Sequence, residues 1–180
     1  MTELELFNII RPVILSVTGV PEVILANPNI PAPAGEYAAV LPKQSVSQRG
    51  QANIYGSNSV ATNTVDVDVR AQAVAECSVN FYRGDAPYRA ELLQQANKRP
   101  SVSSALFKAG VGWQRTGAVN NLRFLQADNW ENRAQISMYL MYEETVHDIV
   151  NSIESVQVVV EDSATNELAD FEVLSPDSPL

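Results

Sequence analysis

A run of alternating side chains from Val65 to Phe81 constrains the fold of this chain more than any other feature. Every odd position in the run is apolar, and every even position except Val74 is polar. Strict alternation is the pattern of a β-strand with one buried and one solvated face. At about 3.3 Å per residue the run would extend roughly 56 Å, whereas ordinary strands have about 5–6 residues. The run therefore predicts a strand that either bends or leaves the core as one leg of an arm, and such arms are typical of proteins that assemble.

Length and composition exclude several classes of protein. A chain of 180 residues is expected to form one domain, residues 1–162, followed by an acidic flexible tail, residues 163–180. The formal net charge of −9 argues against a nucleic-acid-binding face, which needs clustered Lys and Arg. The single cysteine, Cys77, excludes an intrachain disulfide and a cysteine-based zinc site. No apolar stretch approaches the roughly 20 residues of a membrane span, and the acidic start is unlike a signal peptide, so a cytoplasmic protein is expected.

The other elements are predicted from periodicity and from capping residues. An N-terminal helix is expected from Thr2, a good N-cap, to Gly19, a typical helix end. Two further helices are expected after Asp85 and Pro100. Spacing or alternation also predicts strands at Glu22–Ala26, Tyr37–Val46, Trp130–Glu144 and Gln157–Glu161, and a helix over Val146–Ile153.

A polar segment of small residues, 44–63, separates two of the predicted strands. It is either a flexible loop or the tip of a long hairpin, and the hairpin is favoured because alternation begins directly after it. Strands grouped around a helical pair then predict an α+β fold. We expect a mostly antiparallel sheet or sandwich with helices packed on one face and a long β-hairpin arm.

No residue pattern in the sequence predicts catalysis, a cofactor or a metal site. His147 is the only histidine, so a catalytic triad or a Cys-His pair would have to use it. For a small acidic hydrolase the only candidates would be His147, Glu143, Glu144 and Asp148. The tripeptide Arg83-Gly84-Asp85 spells an integrin-binding motif, but a turn followed by a helix cap explains it better. We therefore expect a protein that is not an enzyme.

An ordered set of short motifs resembles the neck or tail terminator proteins of tailed bacteriophages. The resemblance covers roughly residues 1 to 160 and rests on these stretches: Val23–Asn29 with Pro31, Pro33 and Tyr37, then Phe81–Ala86, Phe107–Gly112, Val119–Leu122 and Trp130–Ala134. Residues 44–63 and the acidic tail have no counterpart in this set.

The resemblance implies a structural virion protein. Such proteins form a ring, expected to be hexameric, which caps the tail tube and joins it to the head-proximal neck or connector. The implied partners are further copies of the chain, the tail tube protein, the connector and, as a further candidate, a tail sheath. DNA would pass through a central channel without specific binding, and the ring would be assembled in the host cytoplasm.

Six residues are predicted contacts between subunits or with the ring channel. Three lie on the polar face of the alternating run, next to the segment without counterpart, and three are of types that favour interfaces. They are Asp66, Asp68, Arg70, Trp130, Arg133 and Tyr139.

Two other assignments stay open at the level of sequence. The chain could also be a head–tail connector or stopper, or a tail tube subunit, because such proteins would likewise combine a sheet with an extended arm. A small acidic hydrolase or an adhesion module belongs to a different class, and the residues favour it less.

Overall fold

The computed structural model describes residues 1–26, 31–58, 64–126, 129–151, 155–161 and 167–174. The chain divides into two compact units. We call Met1–Gln51 with Ala71–Glu144 the body, and Ala52–Arg70 with Thr145–Leu180 the arm unit.

The first helix begins and ends where its capping residues predict. Helix α1 spans Glu3–Thr18, with a capping box between Thr2 and Glu5, and Gly19 ends it at a positive φ of 64°. A proline lies in the first turn of each later helix, where its missing N–H costs no hydrogen bond. These helices are α2 (Ala86–Gln94) and α3 (Pro100–Lys108), with a short 3₁₀ helix (Ala96–Lys98) between them.

Within the described ranges, ten strands form one main sheet and two small two-stranded sheets. The strands are β1 (Glu22–Leu25), β2 (Tyr37–Asn58), β3 (Thr64–Tyr82), β4 (Gly112–Thr116), β5 (Asn120–Asn121), β6 (Phe124–Gln126), β7 (Asn129–Glu131), β8 (Arg133–Asn151), β9 (Ser155–Glu161) and β10 (Glu167–Leu174). The main sheet has the order β1-β2-β3-β8-β4, and β5 also pairs with β8. Strands β6 and β7 pair with each other, as do β9 and β10.

Most of the pairing in the main sheet is antiparallel. Strand β1 runs parallel to β2, with Glu22 opposite Tyr37, while β4 and β5 run antiparallel to β8. Hydrogen bonds join Gln135 to Ser78 and Arg133 to Asn80, so the contacts step in opposite directions along β3 and β8. The predicted α+β class with a long hairpin is confirmed.

The apolar face of the alternating run forms the core of the body. Apolar positions of β3 pack with those of β8 and with one face of α1, and the side chains of α2 and α3 join the same cluster. The helices therefore cover one face of the sheet. The fully buried strand residues include Ala75, Cys77, Val79, Phe81, Ala134, Ile136, Met138 and Leu140.

The predicted hairpin is present, and it includes most of the polar segment. Residues 44–58 belong to β2, which lies beside β3 in the sheet. The tip, residues 59–63, lies outside the described residues.

The helix predicted over Val146–Ile153 is wrong. Strand β8 continues to Asn151, and residues 152–154 lie outside the described ranges. Val146, Ile149 and Val150 satisfy helical spacing, but they are β-branched residues that favour strands. Strand β8 lies next to β3 in the sheet, and this pairing favours the strand over the helix.

Part of the segment that the sequence predicts to be a flexible tail, residues 163–180, forms a strand. Residues 167–174 form β10, which pairs antiparallel with β9, while residues 163–166 and 175–180 lie outside the described ranges. The domain boundary at residue 162 stays a prediction.

Candidate interaction surface

The face of the body sheet that lies opposite the helices carries polar and aromatic side chains. Glu76, Asn80 and Tyr82 of β3 are half-buried, and so are Arg133 and Tyr139 of β8. We call this the polar face. Its β3 residues lie on the even, polar side of the alternating run.

Glu76 is the centre of a hydrogen-bond network on the polar face. Its carboxylate accepts hydrogen bonds from the hydroxyls of Ser45, at 3.1 Å, and Tyr139, at 3.2 Å. The pKa of Glu76 is lowered, chiefly by the hydrogen bond from Ser137; burial, the next-largest effect, raises it, and the hydrogen bonds from Ser45 and Tyr139 lower it further. The guanidinium of Arg115 lies 3.6 Å from the centre of the Tyr139 ring, a close cation–π contact.

Arg133 lies among aromatic rings at the other end of the polar face. Its Nη2 donates to Asn80 at 3.0 Å, and its guanidinium lies 5.1 Å from the centre of the Tyr82 ring. Tyr82 stacks on Tyr37 with ring centres 4.6 Å apart and planes 7° from parallel. Burial raises the pKa of Tyr37, so its hydroxyl stays protonated.

A pocket of about 310 Å³ opens beside this stack. Its wall combines apolar side chains with the two tyrosine rings and polar groups of β3, and Arg133 closes one side. The Nε of Arg133 is buried and has no hydrogen-bond partner among the described residues. The lining residues are Ile24, Leu25, Ala26, Ala32, Tyr37, Ala39, Leu41, Ser78, Asn80, Tyr82 and Arg133.

Trp130 projects from the small hairpin of β6 and β7. Its side chain is 71% exposed, although Trp is a residue that proteins usually bury in large part. The residues next to it are fixed to the body: Glu131 pairs with Arg83 at 3.3 Å, and Nδ2 of Asn132 donates to the carbonyl of Gly84 at 2.8 Å. The exposed indole is thus held on an anchored support.

The Arg83-Gly84-Asp85 segment is a structural turn. The Arg83 guanidinium donates to the carbonyls of Pro33, at 2.6 Å, and Gly35, at 3.0 Å. Arg83 itself has a positive φ of 66°. Asp85 occupies the N-cap position of α2, but its side chain makes no capping hydrogen bond there. Internal bonds of Arg83 do not suit an adhesive motif, which would have to present this side chain to a receptor.

The arm unit brings two of the predicted contact residues together. Asp68 lies 3.5 Å from Arg70 and 2.5 Å from Nδ1 of His147. Arg70 lies over the ring of Tyr55, 4.9 Å from its centre. Asp66 is exposed on the same strand. Asp68, Arg70, His147 and Tyr55 thus form a connected charged and aromatic cluster.

The arm unit also exposes large apolar side chains. Ile54 is 71% exposed and Ile149 is 68% exposed, and Val146 is similar. Soluble monomers do carry scattered exposed apolar residues, but several within the arm-unit parts of β2 and β8 favour a contact surface.

The side chains that could take part in catalysis are either bonded to other groups or distant from one another. Burial raises the pKa of Cys77 to about 12, and its thiol donates to the carbonyl of Pro42 at 2.7 Å. His147 is bound to Asp68 on an exposed strand, and Glu144 lies 4.0 Å from Lys43 in the body. Among the described residues, no three His, Cys, Asp or Glu side chains converge as metal ligands would.

The structure thus sorts the six predicted contact residues into three places. Arg133 and Tyr139 lie on the polar face, Trp130 lies on the anchored hairpin, and Asp66, Asp68 and Arg70 lie in the arm unit. Their contacts with neighbouring subunits stay a prediction.

Sequence reasoning missed Glu76, Arg115 and the stacked tyrosines. Alternation was the available signal, because it places Glu76 and Tyr82 on the polar side of the run. The partners of these residues come from distant strands, and the register between those strands was needed to find them.

Comparison with known proteins gave one family. A family model described as a phage neck terminator protein matches residues 4–165. No curated protein matches the chain. None of the helices within the described ranges has the length and apolar character needed to cross a membrane.

Proposed function

The chain belongs to the phage neck terminator protein family, and we propose that it is a tail terminator that closes into a ring of identical copies. The ring, which we expect to be a hexamer, would cap the tail tube and join it to the head-proximal connector. Its residence would be the neck or tail of the virion, after assembly in the host cytoplasm. Family membership supports a structural role over an enzymatic one.

The exposed apolar surface of the arm unit carries the proposal of assembly. Ile54, Val146 and Ile149 lie on strands that continue beyond the body. Burying them would give a free-energy gain of about 25 cal/mol per Å² of apolar surface. Contact with another subunit or with the tube would provide that burial.

A second feature that supports a ring is the presence of unlike surfaces on one body. A closed ring of identical chains uses heterologous interfaces, in which two different patches meet. The polar face with its pocket lies on one side of the body sheet, and helices that carry the exposed Phe107 cover the other side.

The acidic composition supports a channel through which DNA passes without binding. A chain with a net charge of −9 lacks the excess of cationic side chains that would neutralise phosphates. Like charges on a ring wall and on DNA repel each other, which keeps the duplex from adhering.

Ring formation can be tested on the purified protein and on the phage. Mass determination by light scattering, with electron microscopy of negatively stained particles, should find closed rings of about six copies. A phage lacking the gene should assemble heads and tails that fail to join. A protein that stays monomeric at high concentration and is absent from purified virions would contradict the proposal.

The alternative assignment is a tube subunit or a connector, and the long arm strands favour it to the extent that tube subunits also use such arms. The same microscopy separates the two. A tube subunit should polymerise into long cylinders and be abundant in virions, whereas a terminator should stop at one ring.

A further inference from the structure

We infer that the acidic arm unit of one copy docks on a basic surface at α3 of the next copy. The basic surface consists of Lys98, Arg99, Phe107 and Lys108. This inference rests on the proposed ring and names the two surfaces that would join its subunits. Opposite charges, together with apolar side chains that both surfaces expose, carry it.

The whole net charge of the chain belongs to the arm unit. The arm unit contains ten Asp and Glu residues and a single cationic residue, Arg70, so its formal charge equals the −9 of the entire chain. The body contains eleven acidic and eleven basic residues and is neutral. Two arm units of like charge repel each other, which opposes pairing of one arm unit with another. The surface that receives an arm unit should therefore be positively charged.

The neutral body contains a segment of the required charge. Residues 92–127 include five Lys and Arg residues and no Asp or Glu. Lys98 and Arg99 directly precede α3, Lys108 is its last residue, and all three side chains are exposed. Among the described residues, no carboxylate forms an ion pair with these three cations. About 14 Å of helix separates Arg99 from Lys108, a distance that one β-hairpin can span.

The N-terminal end of α3 adds to the positive potential of the basic surface. Arg99 occupies the N-cap position, and no side-chain hydrogen bond caps the helix there. Cations at this end are unfavourable because they lie next to the positive end of the helix dipole. Carboxylates of a neighbouring arm unit would offset the charges of Lys98 and Arg99 as well as the dipole.

Both surfaces expose apolar side chains that docking would bury. Phe107 is 82% exposed next to Lys108, and Ile149 is 68% exposed next to Asp148. Exposed ion pairs contribute little on their own, whereas a few residues buried at the centre of an interface contribute most of its binding energy. We therefore expect the charges to align the two copies and Phe107 to provide most of the affinity.

Salt and charge variants test the electrostatic part of the contact. Self-association, measured by sedimentation, should weaken at least about 10-fold between about 0.1 M and about 1 M salt, because the Debye length falls from about 10 Å to about 3 Å. At the lower salt concentration, the double variant Lys98→Gln, Arg99→Gln should weaken it about 10-fold. The matched control is Gln44→Glu, Gln72→Glu, which lowers the net charge equally at exposed positions of β2 and β3. An equal loss in the control would overturn the inference.

A truncation of Phe107 tests the apolar part of the contact. Phe107→Ala should weaken self-association at least about 30-fold, as expected for an interface hot spot. Leu4→Ala is the control, because Leu4 is 60% exposed on α1 and lies outside the basic surface. Circular dichroism and thermal melting check that each variant is folded.

Carbodiimide coupling identifies the surfaces that meet. The chain has three lysines, and two of them, Lys98 and Lys108, belong to the basic surface. In a mixture of ordinary copies and copies labelled with heavy nitrogen, coupling should join these lysines to Asp or Glu residues of the arm unit in peptides that carry both labels. Lys43 lies 4.0 Å from Glu144, so their coupling within one chain is the internal control.

The outcomes separate this inference from the proposed ring. If wild-type protein forms rings while Lys98 and Lys108 couple only to carboxylates of a body or of their own chain, the inference is overturned and the ring stands. If Phe107→Ala rings form normally but no longer join tails, the basic surface contacts a tail protein instead, which also overturns it. If wild-type protein forms no ring in solution or on tails, the proposed function fails, and this inference fails with it.

Discussion

The body and the arm unit use the same alternating strands in opposite ways. In the body, the apolar side of β3 and β8 is fully buried under helices, as Phe81 and Ile136 illustrate. In the arm unit, apolar residues of β8 are largely exposed, as Ile149 illustrates, although Val67 of β3 stays buried. Alternation therefore specifies a strand and its two faces, whereas the helices that bury the apolar face are specified by other segments of the chain.

Two isoleucines of β8 provide the largest expected contrast. Ile136→Ala should lower the free energy of unfolding by about 2–5 kcal/mol, because it opens a cavity in the core. Ile149→Ala should change it by no more than about 0.5 kcal/mol, because the side chain is already exposed. Urea unfolding of the monomer, followed by circular dichroism, measures both. Equal losses would mean that Ile149 is covered in the monomer, and the contrast would be lost.

Two glycines sharpen the comparison at the level of the backbone. Gly84 in the body has a φ of 48°, and an added Cβ would clash with the carboxylate of Glu36. Gly84→Ala should therefore lower the free energy of unfolding by about 1–3 kcal/mol. Gly56 in the arm unit would meet only Cγ1 of Val65, at 3.4 Å, so Gly56→Ala should cost less than about 1 kcal/mol. Thermal melts of the two variants give the ranking, and the reverse order would contradict it.

The Glu76 network predicts a pH dependence for the polar face. Because the folded-state pKa of Glu76 is lowered, the carboxylate contributes stability that is complete above its ordinary pKa of 4.5. That stability is lost as the pH falls through the lowered folded value. The difference in unfolding free energy between wild type and Glu76→Gln should be constant above about pH 5.5 and shrink below pH 4.5. A difference that grows on acidification would refute the network.

The ion pairs of the arm unit should contribute least. Asp68→Asn removes the contacts with Arg70 and His147, and exposed pairs of this kind contribute about 0–1 kcal/mol. The effect on the free energy of unfolding should therefore be below about 1 kcal/mol and should vanish near 1 M salt. A loss that persists at high salt would mean that the cluster is structural.

The sequence predicted the parts of this fold that depend on local pattern. The buried side of β3 followed from alternation, and the bounds of α1 followed from Thr2 and Gly19. The prediction of a helix over Val146–Ile153 failed because β-branched residues at helical spacing are equally compatible with a strand that pairs with a neighbouring strand. The pocket could not be predicted, since it joins Ala39 to Arg133 through three strands whose register no local pattern encodes.

The burial of Cys77 has a consequence for the particle after it leaves the cell. A thiol with a pKa of about 12 holds almost no thiolate near neutral pH, and thiolate is the form that oxidises and forms mixed disulfides. A virion component with this single, shielded thiol can pass from reducing into air-exposed surroundings without oxidation of its sulfur. For the experimenter, any cysteine added at the surface becomes the one site that a maleimide dye will label.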